Sequence, residues 1–398
     1  MVFTVDLKKT PTADDPVLSA VDLPIGPYKM LDLLDKLRLH EKEAIIWEIT
    51  NYHLFAELAP LMDKTGTFFE LNALAERLME LDEVQHTAFA GLLAMEDAKG
   101  PIPLPHLIDL AYSTDCCHVA GGALTDSQLG RIRAENGCVP GLDRLSREDF
   151  ETLDFEQIGQ KARTSEKGVF VKQSTECSGG YVTRRKGLME AHKALDLMPR
   201  KPEYVIQACI KYDPVAGPDV DLTQIIRINL PASEEQMRDM DTNMISEWLG
   251  TYLYSVDSAI PQITDAVLCV GSIPELNPLA RKVAELDPVA LPAYKALLEA
   301  AGCLDFDAAE HLMDTLDQYS FHPHLRSPTD LAKEELLAIT AEENAQLLLP
   351  YLNLHEYGEA LIKENGAVLT SYGLIERKDG QPIQSPWQEQ PKGGMTLG

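Results

Sequence analysis

The most reactive side chains of the sequence sit in one short run, Asp115-Cys116-Cys117-His118. Thiolate, imidazole and carboxylate are zinc ligands, and a thiol beside an imidazole is the pairing of a cysteine nucleophile. The spacing suits neither use. Adjacent cysteines chelate one ion poorly, and no second cluster supplies the remaining ligands of a tetrahedral site. Neighbouring side chains point apart on most backbones, so His118 is not placed to take the Cys117 proton. A buried turn is expected instead. His322 and His324 flank Pro323 with no cysteine nearby, and an exposed loop is expected there. The chain has no phosphate-binding Gly-x-x-x-x-Gly-Lys-[Ser/Thr], no Cys-x-x-Cys and no His-Glu-x-x-His; Gly121-Gly122 lacks the dinucleotide fingerprint. With 63 carboxylates present, no acid–base pair stands out. The expectation is a protein that is not an enzyme, with no catalytic residue, metal or cofactor.

The chemistry that remains is the negative charge itself. Asp and Glu number 63 against 35 Lys and Arg, a formal net charge of −28. Such a chain repels nucleic acid and anionic membrane and attracts basic surfaces. The charge is uneven: residues 1–201 carry a net −9 and residues 202–398 a net −19. Between Ile228 and Ala280 the only cation is Arg238, against Glu234, Glu235, Asp239, Asp241, Glu247, Asp257, Asp265 and Glu275. These carboxylates are spread along a foldable, aromatic-containing sequence and do not form a disordered acidic tail. The one basic region, Lys161, Arg163, Lys167, Lys172 and Arg184-Arg185-Lys186, is expected to pair with acidic neighbours inside the chain or across a dimer.

The elements that must hold these charges come in two series. Glu70–Asp82 reads ELNALAERLMELD and Glu275–Asp287 reads ELNPLARKVAELD, with eight of thirteen positions identical without a gap. The likeness continues through Val84/Val289, Ala88/Ala293, Phe89/Tyr294, Leu92/Leu297 and Leu93/Leu298. A unit of roughly 200 residues is thus expected twice. Strands are expected at Val2–Leu7, Ala44–Thr50, Tyr204–Tyr212, Thr223–Asn229 and Tyr252–Val256. Helical spacing is read at Tyr28–Leu39, Tyr52–Met62, Leu107–Ser113, Thr125–Glu135, Glu148–Lys161, Leu304–Tyr319 and Leu352–Lys363. Thr67 with Glu70 reads as a capping box opening one helix, and Asp82 caps the next. Glu70 and Glu275 belong in a first turn, and Asn72 and Asn277 are expected to bond backbone near the helix start.

Val169–Lys172 with Tyr181–Arg184, and Ala367–Thr370 with Tyr372–Glu376, read as hairpins. Thr10–Val21 reads as a loop, and Lys186–Met198 as a helix or linker. The expected fold is α+β, elongated and multi-subdomain, with small antiparallel sheets around a helical middle. The expected divisions are 1–198, 203–377 and a loose tail, 378–398. No apolar run approaches a membrane span, and the N-terminus lacks signal-peptide order. Seven irregularly spaced cysteines do not suggest disulfides, so a cytoplasmic protein is expected.

Three segments resemble the ArdA-type antirestriction proteins of mobile genetic elements. They are Ser272–Asp287 with its counterpart Phe68–Asp82, then Leu107–Val119, then Tyr351–Arg377 with its counterpart Leu153–Val171. The resemblance implies two ArdA-like units in tandem, where a typical member has one and works as a homodimer. It implies a DNA mimic whose carboxylates occupy the DNA-binding groove of type I restriction–modification enzymes. An inhibitor of another nucleic-acid-handling defence complex, such as a CRISPR effector, is the alternative on the same scaffold; an Asp/Glu or Cys117 hydrolase is a third reading. The expected partner is a basic DNA-binding protein, with no nucleic acid or membrane bound directly, and the chain is a homodimer or a pseudo-dimeric monomer. The phosphate-mimicking candidates in the first unit are Glu76, Glu80, Asp82, Glu83, Glu96, Asp97 and Asp109. In the second they are Asp239, Asp241, Glu247, Asp257, Asp265, Glu285, Asp287, Asp305, Asp307, Glu310, Asp314 and Asp317.

Overall fold

The computed structural model describes residues 1–8, 18–37, 45–96, 100–142, 146–174, 177–212, 226–236, 238, 251–264, 276–287, 290–303, 306–340 and 342–384. The chain is mixed helix and sheet, and its sheets are small, antiparallel and three-stranded. It divides into two units, one of Met1–Ile25 with Leu39–Pro199 and the other of Gly26–Arg38 with Arg200–Gly398.

The first unit opens with β1 (Phe3–Lys8) and β2 (Leu18–Leu23). Helix α1 (Pro27–Leu37) follows in the chain but belongs to the second unit. Strand β3 (Ile46–Tyr52) completes a sheet of order β2-β1-β3. In β1, Phe3, Val5 and Leu7 are fully buried while Thr4, Asp6 and Lys8 are partly exposed, the alternation of a strand with one face on a core. Helices α2 (Phe68–Glu80), α3 (Glu83–Met95) and α4 (Leu104–Tyr112) come next. Their buried Leu71, Leu74, Leu78, Phe89, Leu92 and Leu107 recur at helical spacing. Phe55 meets the Phe89 ring edge-on at 5.4 Å. Strand β4 (Cys117–Gly121), helices α5 (Asp126–Glu135), α6 (Arg147–Glu151) and α7 (Phe155–Glu166), and strands β5 (Val169–Val171) and β6 (Gly180–Arg184) complete the unit, with sheet order β4-β6-β5. Helices α5 and α7 meet backbone to backbone. A methyl group on Gly130 would strike the Phe155 carbonyl, and one on Gly159 the Asp126 carbonyl.

The second unit contains β7 (Ile206–Tyr212), β8 (Ile226–Leu230) and β9 (Thr251–Ser258) in the order β8-β7-β9. Then come α8 (Asn277–Glu285), α9 (Ala290–Ala301), α10 (Phe306–Asp314), β10 (Tyr319–His322), α11 (Pro328–Ile339), α12 (Glu342–Leu348), α13 (Leu354–Glu364), β11 (Val368–Leu369) and β12 (Leu374–Arg377). The last three strands form a sheet of order β10-β12-β11. Gly358 on α13 lies against the Pro328 carbonyl as Gly159 lies against that of Asp126.

One side-chain clamp recurs in both units. Asn72 Oδ1 accepts from Ile25 N at 2.8 Å, and its Nδ2 donates to the Ile25 carbonyl at 3.3 Å. Asn277 does the same to Ala232, at 2.8 and 3.0 Å. Both asparagines are buried. Their backbone partner is therefore not the helix start, as expected, but the residue after Leu23-Pro24 or Leu230-Pro231. A buried amide with four bonding sites satisfies a backbone donor and acceptor that the sheet has left unpaired.

Helix α1 sits with the second unit because its partners are there. The Asp257 carboxylate on β9 accepts from Tyr28 N at 3.1 Å and Lys29 N at 3.2 Å, capping the free amides of the helix N-terminus. Tyr28 Oη donates to the Tyr204 carbonyl at 2.5 Å. A side chain at Gly26 would collide with the Asp257 carboxylate. Further along, Asp32 accepts from Lys295 Nζ on α9 at 2.9 Å and from Tyr372 Oη at 2.6 Å, and Lys36 lies 3.0 Å from its other oxygen.

Several elements differ from expectation. Residues Leu18–Leu23, which overlap the end of the expected Thr10–Val21 loop, form β2. The run at Cys117 is a turn only in part: Asp115 and the buried Cys116 lie in a 3-10 turn, while Cys117 and His118 open β4. His322 ends β10, and Pro323 and His324 lie in the exposed turn after it. Between Tyr52 and Met62 only a single 3-10 turn forms, Ala56–Leu58, and between Lys186 and Met198 only Ala191–Lys193. The Glu148–Lys161 helix divides at Asp154, whose side chain caps α7. The helix expected to run to Tyr319 stops at Asp314. Helices α11 and α12 were not anticipated. Glu275, the segment Met237–Asp239 apart from Arg238, and the tail from residue 385 lie outside the described residues.

Candidate functional site: the carboxylates of the two units

In the first unit the acidic side chains gather where α2 ends and α3 begins. Thr67 caps α2, accepting from Glu70 N at 3.2 Å while Glu70 takes Thr67 N at 2.7 Å. With Leu71, Leu74 and Leu78 turned to the core, Glu76 and Glu80 are left on the exposed face. Leu81 is buried and breaks the helix; Asp82 then caps α3, taking Gln85 N at 2.7 Å. Glu80, Asp82 and Glu83 are thereby presented within four residues, all exposed. Asp82 and Glu83 stand at a helix N-terminus, where the backbone dipole favours negative charge.

Gln85 adds a carboxylate that sequence reading missed. Its Nε2 donates to Asp115 at 3.0 Å while its Oε1 takes Asp82 N at 3.2 Å, so Asp115 and Asp82 lie on either side of one amide. The contact spans 30 residues, and no local spacing signals it. Residue Glu76 is exposed as a whole, but its carboxyl lies against Asn72, which donates at 3.0 Å; burial of that carboxyl raises its pKa. Arg77 lies 3.9 Å from Glu80, a loose contact, and its Nε donates instead to the Ala111 carbonyl at 3.2 Å.

In the second unit the exposed acidic candidates lie on and around α8 and α10. Glu285 and Asp287 are exposed at the end of α8. Asp307, Glu310 and Asp314 follow at spacings of three and four, which aligns them on one face of α10. Asp317 is exposed just beyond. Lys282 on α8 reaches Glu310 at 2.8 Å and Asp314 at 2.9 Å, so those two are partly neutralised, while Glu285, Asp307 and Asp317 have no ion pair among the described residues.

Three candidates are occupied within the fold. Asp109 is buried and accepts from His192 N at 3.0 Å, with His192 Nδ1 at 2.7 Å; it orders the segment after β6 and is not a surface charge. Asp257 caps α1 and accepts from Tyr204 Oη at 2.8 Å; burial raises its pKa against the pull of those bonds. Glu96 is half-buried and lies 3.1 Å from His106. Asp97, Asp239, Asp241, Glu247, Asp265 and Asp305 lie outside the described residues.

Of the basic region, Arg163 is the residue with an ion pair to a carboxylate among the described residues. Arg163 makes a two-pronged pair with Asp126 at 2.8 and 2.9 Å, which holds the Asp126 carboxyl below the usual carboxylate range. Arg184, Arg185 and Lys186 remain exposed.

The reactive run is not primed for catalysis. Burial, with Cys116 beside it, pushes the Cys117 thiol up to about 11, away from the thiolate a nucleophile needs. His118 is turned the other way by burial and by Arg185 and Arg133, which lower its pKa. Among the described residues no group of three or more His, Cys, Asp or Glu is arranged to hold a metal ion, and no helix is long and apolar enough to cross a membrane. No protein-family model matches the chain, and no curated protein matches it.

Proposed function

We propose that the chain is an acidic DNA mimic of the ArdA antirestriction type, built as two tandem units, which occupies the DNA-binding groove of a type I restriction–modification enzyme. The observation that carries this reading is the set of exposed carboxylates on helices and at their ends: Glu80, Asp82 and Glu83 in the first unit, Glu285, Asp287, Asp307 and Asp317 in the second. The tandem reading is supported by the matching sheet orders, the paired Asn72 and Asn277 clamps and the equivalent Gly159 and Gly358 contacts.

The physics of the competition is direct. Duplex DNA presents about one charge per 1.7 Å of axis, and proteins that grip it do so largely with Lys and Arg on phosphates. Carboxylates held on helices meet the same cations without the ordering cost of a flexible polyanion. Asp82 is a case in point, because its cap bond fixes its rotamer before any partner arrives. Inhibition of this kind is distributed over many weak contacts and requires no catalytic group. Its place of action is the cytoplasm, where incoming DNA meets the restriction enzyme.

Cleavage of unmodified plasmid by a purified type I enzyme tests the reading. Protection at near-stoichiometric protein supports it. Full cleavage at a large molar excess of protein, in low salt, contradicts it.

A further inference from the structure

One end of the sheet β4-β6-β5 in the first unit gathers cations that the fold does not neutralise. Arg184 closes β6 opposite Cys117, the first residue of β4. The amides of Arg185 and Lys186 then both donate to the Cys116 carbonyl, at 2.8 and 3.3 Å, which pins them beside the start of β4. On the other side, Thr183 Oγ1 donates to the Glu166 carbonyl at 3.3 Å, so Lys167, the next residue, leads into β5 at the same end. Three strands at ~4.8 Å per step span about 10 Å. The backbones of Lys167, Arg184, Arg185 and Lys186 meet at this end; all four residues are exposed, and none has an ion pair among the described residues. The acids nearest in the chain are engaged: Glu166 accepts from Arg133 at 2.6 Å and from Tyr181 at 3.1 Å, and Asp115 accepts from Gln85 at 3.0 Å.

His118 adds a donor. It faces Thr183 across the strands, and its Nδ1 is buried with no hydrogen-bond partner. Burial, then Arg185 and Arg133, lower its pKa against the pull of Glu166, so the ring stands among these charges. A buried N–H without an acceptor is costly, and neighbouring cations favour a bare lone pair, so the neutral ring carries its proton on Nε2. Like charges this close repel one another, in a chain that is otherwise strongly acidic. Their complement is an anion, and size decides which. A nucleic-acid strand laid here would run on past the chain's carboxylates, whereas a small anion meets only the local field. A carboxylate brings one charge and two acceptor oxygens; a phosphate group brings about −1.5 to −2 and three, and two joined groups match four cations. We propose that this end of the sheet binds a small anion bearing a diphosphate group, either free pyrophosphate or the phosphate tail of a nucleotide, through Lys167, Arg184, Arg185 and Lys186 with His118 as a further donor. The inference does not depend on what the carboxylates bind.

Calorimetric titration of the full chain in low salt tests it, with pyrophosphate and ATP as the probes. One anion per chain is expected, with an affinity that falls as salt rises. Arg185→Gln with Lys186→Gln, both at exposed positions, weakens binding by roughly tenfold or more with an unchanged circular dichroism spectrum. Lys64→Gln, at an exposed cation elsewhere in the first unit, leaves binding as it was. The imidazole proton resonances of His118 move when pyrophosphate is added to the wild type, and the same concentration does not move them in the double variant. Equal affinity for the two probes assigns the free anion, and tighter binding of ATP assigns a nucleotide. No binding at millimolar pyrophosphate or ATP in low salt overturns the proposal, and so does binding that the double substitution leaves unchanged. A short DNA duplex that binds where neither probe does overturns it too.

Discussion

Lys295 Nζ donates to Asp32 Oδ1 at 2.9 Å, although 263 residues separate them and both side chains are buried. Tyr372 donates to the same oxygen, and both lysines lie over its ring, Lys36 at 5.4 Å and Lys295 at 5.5 Å. This cluster seats α1 in the second unit. When the similarity of Glu70–Asp82 to Glu275–Asp287 is carried forward in the sequence, Ala90 stands opposite Lys295, so that position of the first unit has no cation to offer.

A buried ion pair costs most when half of it is removed, because the remaining charge is stranded. Lys295→Ala is expected to lower the stability of the second unit by about 3–5 kcal/mol. Replacing both partners, Asp32→Leu with Lys295→Met, costs less than Lys295→Ala alone. Urea unfolding followed by hydrogen exchange in α1 measures both.

The same cluster sets a pH dependence. Burial alone would raise the Asp32 pKa, but Lys295, Lys36 and Tyr372 hold it below the ordinary carboxylate value. Because the folded pKa is the lower one, the contribution is fully present above the unfolded value, near 3.9, and is lost as pH falls through the folded value. The stability gap between the wild type and Asp32→Asn is thus expected to be wide at neutral pH and to narrow below about pH 4. Thermal melts of the two proteins from pH 7 to pH 3 follow it; a gap independent of pH would show that Asp32 is not the titrating group.

Asn72→Ala and Asn277→Ala each strip a buried backbone N–H and C=O of their partner. A loss of about 2–4 kcal/mol is expected for each, confined to the unit that carries it. Chemical unfolding with one probe per unit separates the two effects.

Gly159→Ala and Gly358→Ala should both destabilise. On an exposed helix this change gains roughly 0.5–1 kcal/mol. Here the added methyl meets the carbonyl of Asp126 or Pro328, so the helices must part, and a net loss of about 1–3 kcal/mol is expected. Melting temperatures decide the sign.

What could be read from the sequence is what is local. The capping box of Thr67 and Glu70 and the Asp82 cap span three residues, and both are found. The closing hairpin of the first unit pairs Val169 with Val182 and Phe170 with Tyr181, within the two runs expected to form it. Long-range choices were not legible. Nothing near Asp32 indicates that its partner is Lys295, and α1 reads as part of the unit it follows in the chain. Strand β2 is missed because Leu18–Leu23 exposes most of its residues, so no apolar alternation marks it. Among the carboxylates, the exposed positions of Glu80 and Asp307 follow from helical spacing, and those of Asp82 and Glu83 from the cap and first turn of α3. Asp109 and Asp257 look the same in sequence, and only their distant partners His192 and Tyr28 reveal that they are committed to the fold.

The most direct test of DNA mimicry is competition at equilibrium. A type I enzyme holding labelled cognate duplex is titrated with the protein at several salt concentrations. The predicted result is displacement at near-stoichiometric protein and an apparent affinity for the enzyme that falls steeply as salt rises. Joint neutralisation of Glu80, Asp82 and Glu83, or of Glu285, Asp287, Asp307 and Asp317, to their amides should weaken it further. Duplex that stays bound at low salt and a large excess of protein, or displacement indifferent to both salt and neutralisation, would contradict it.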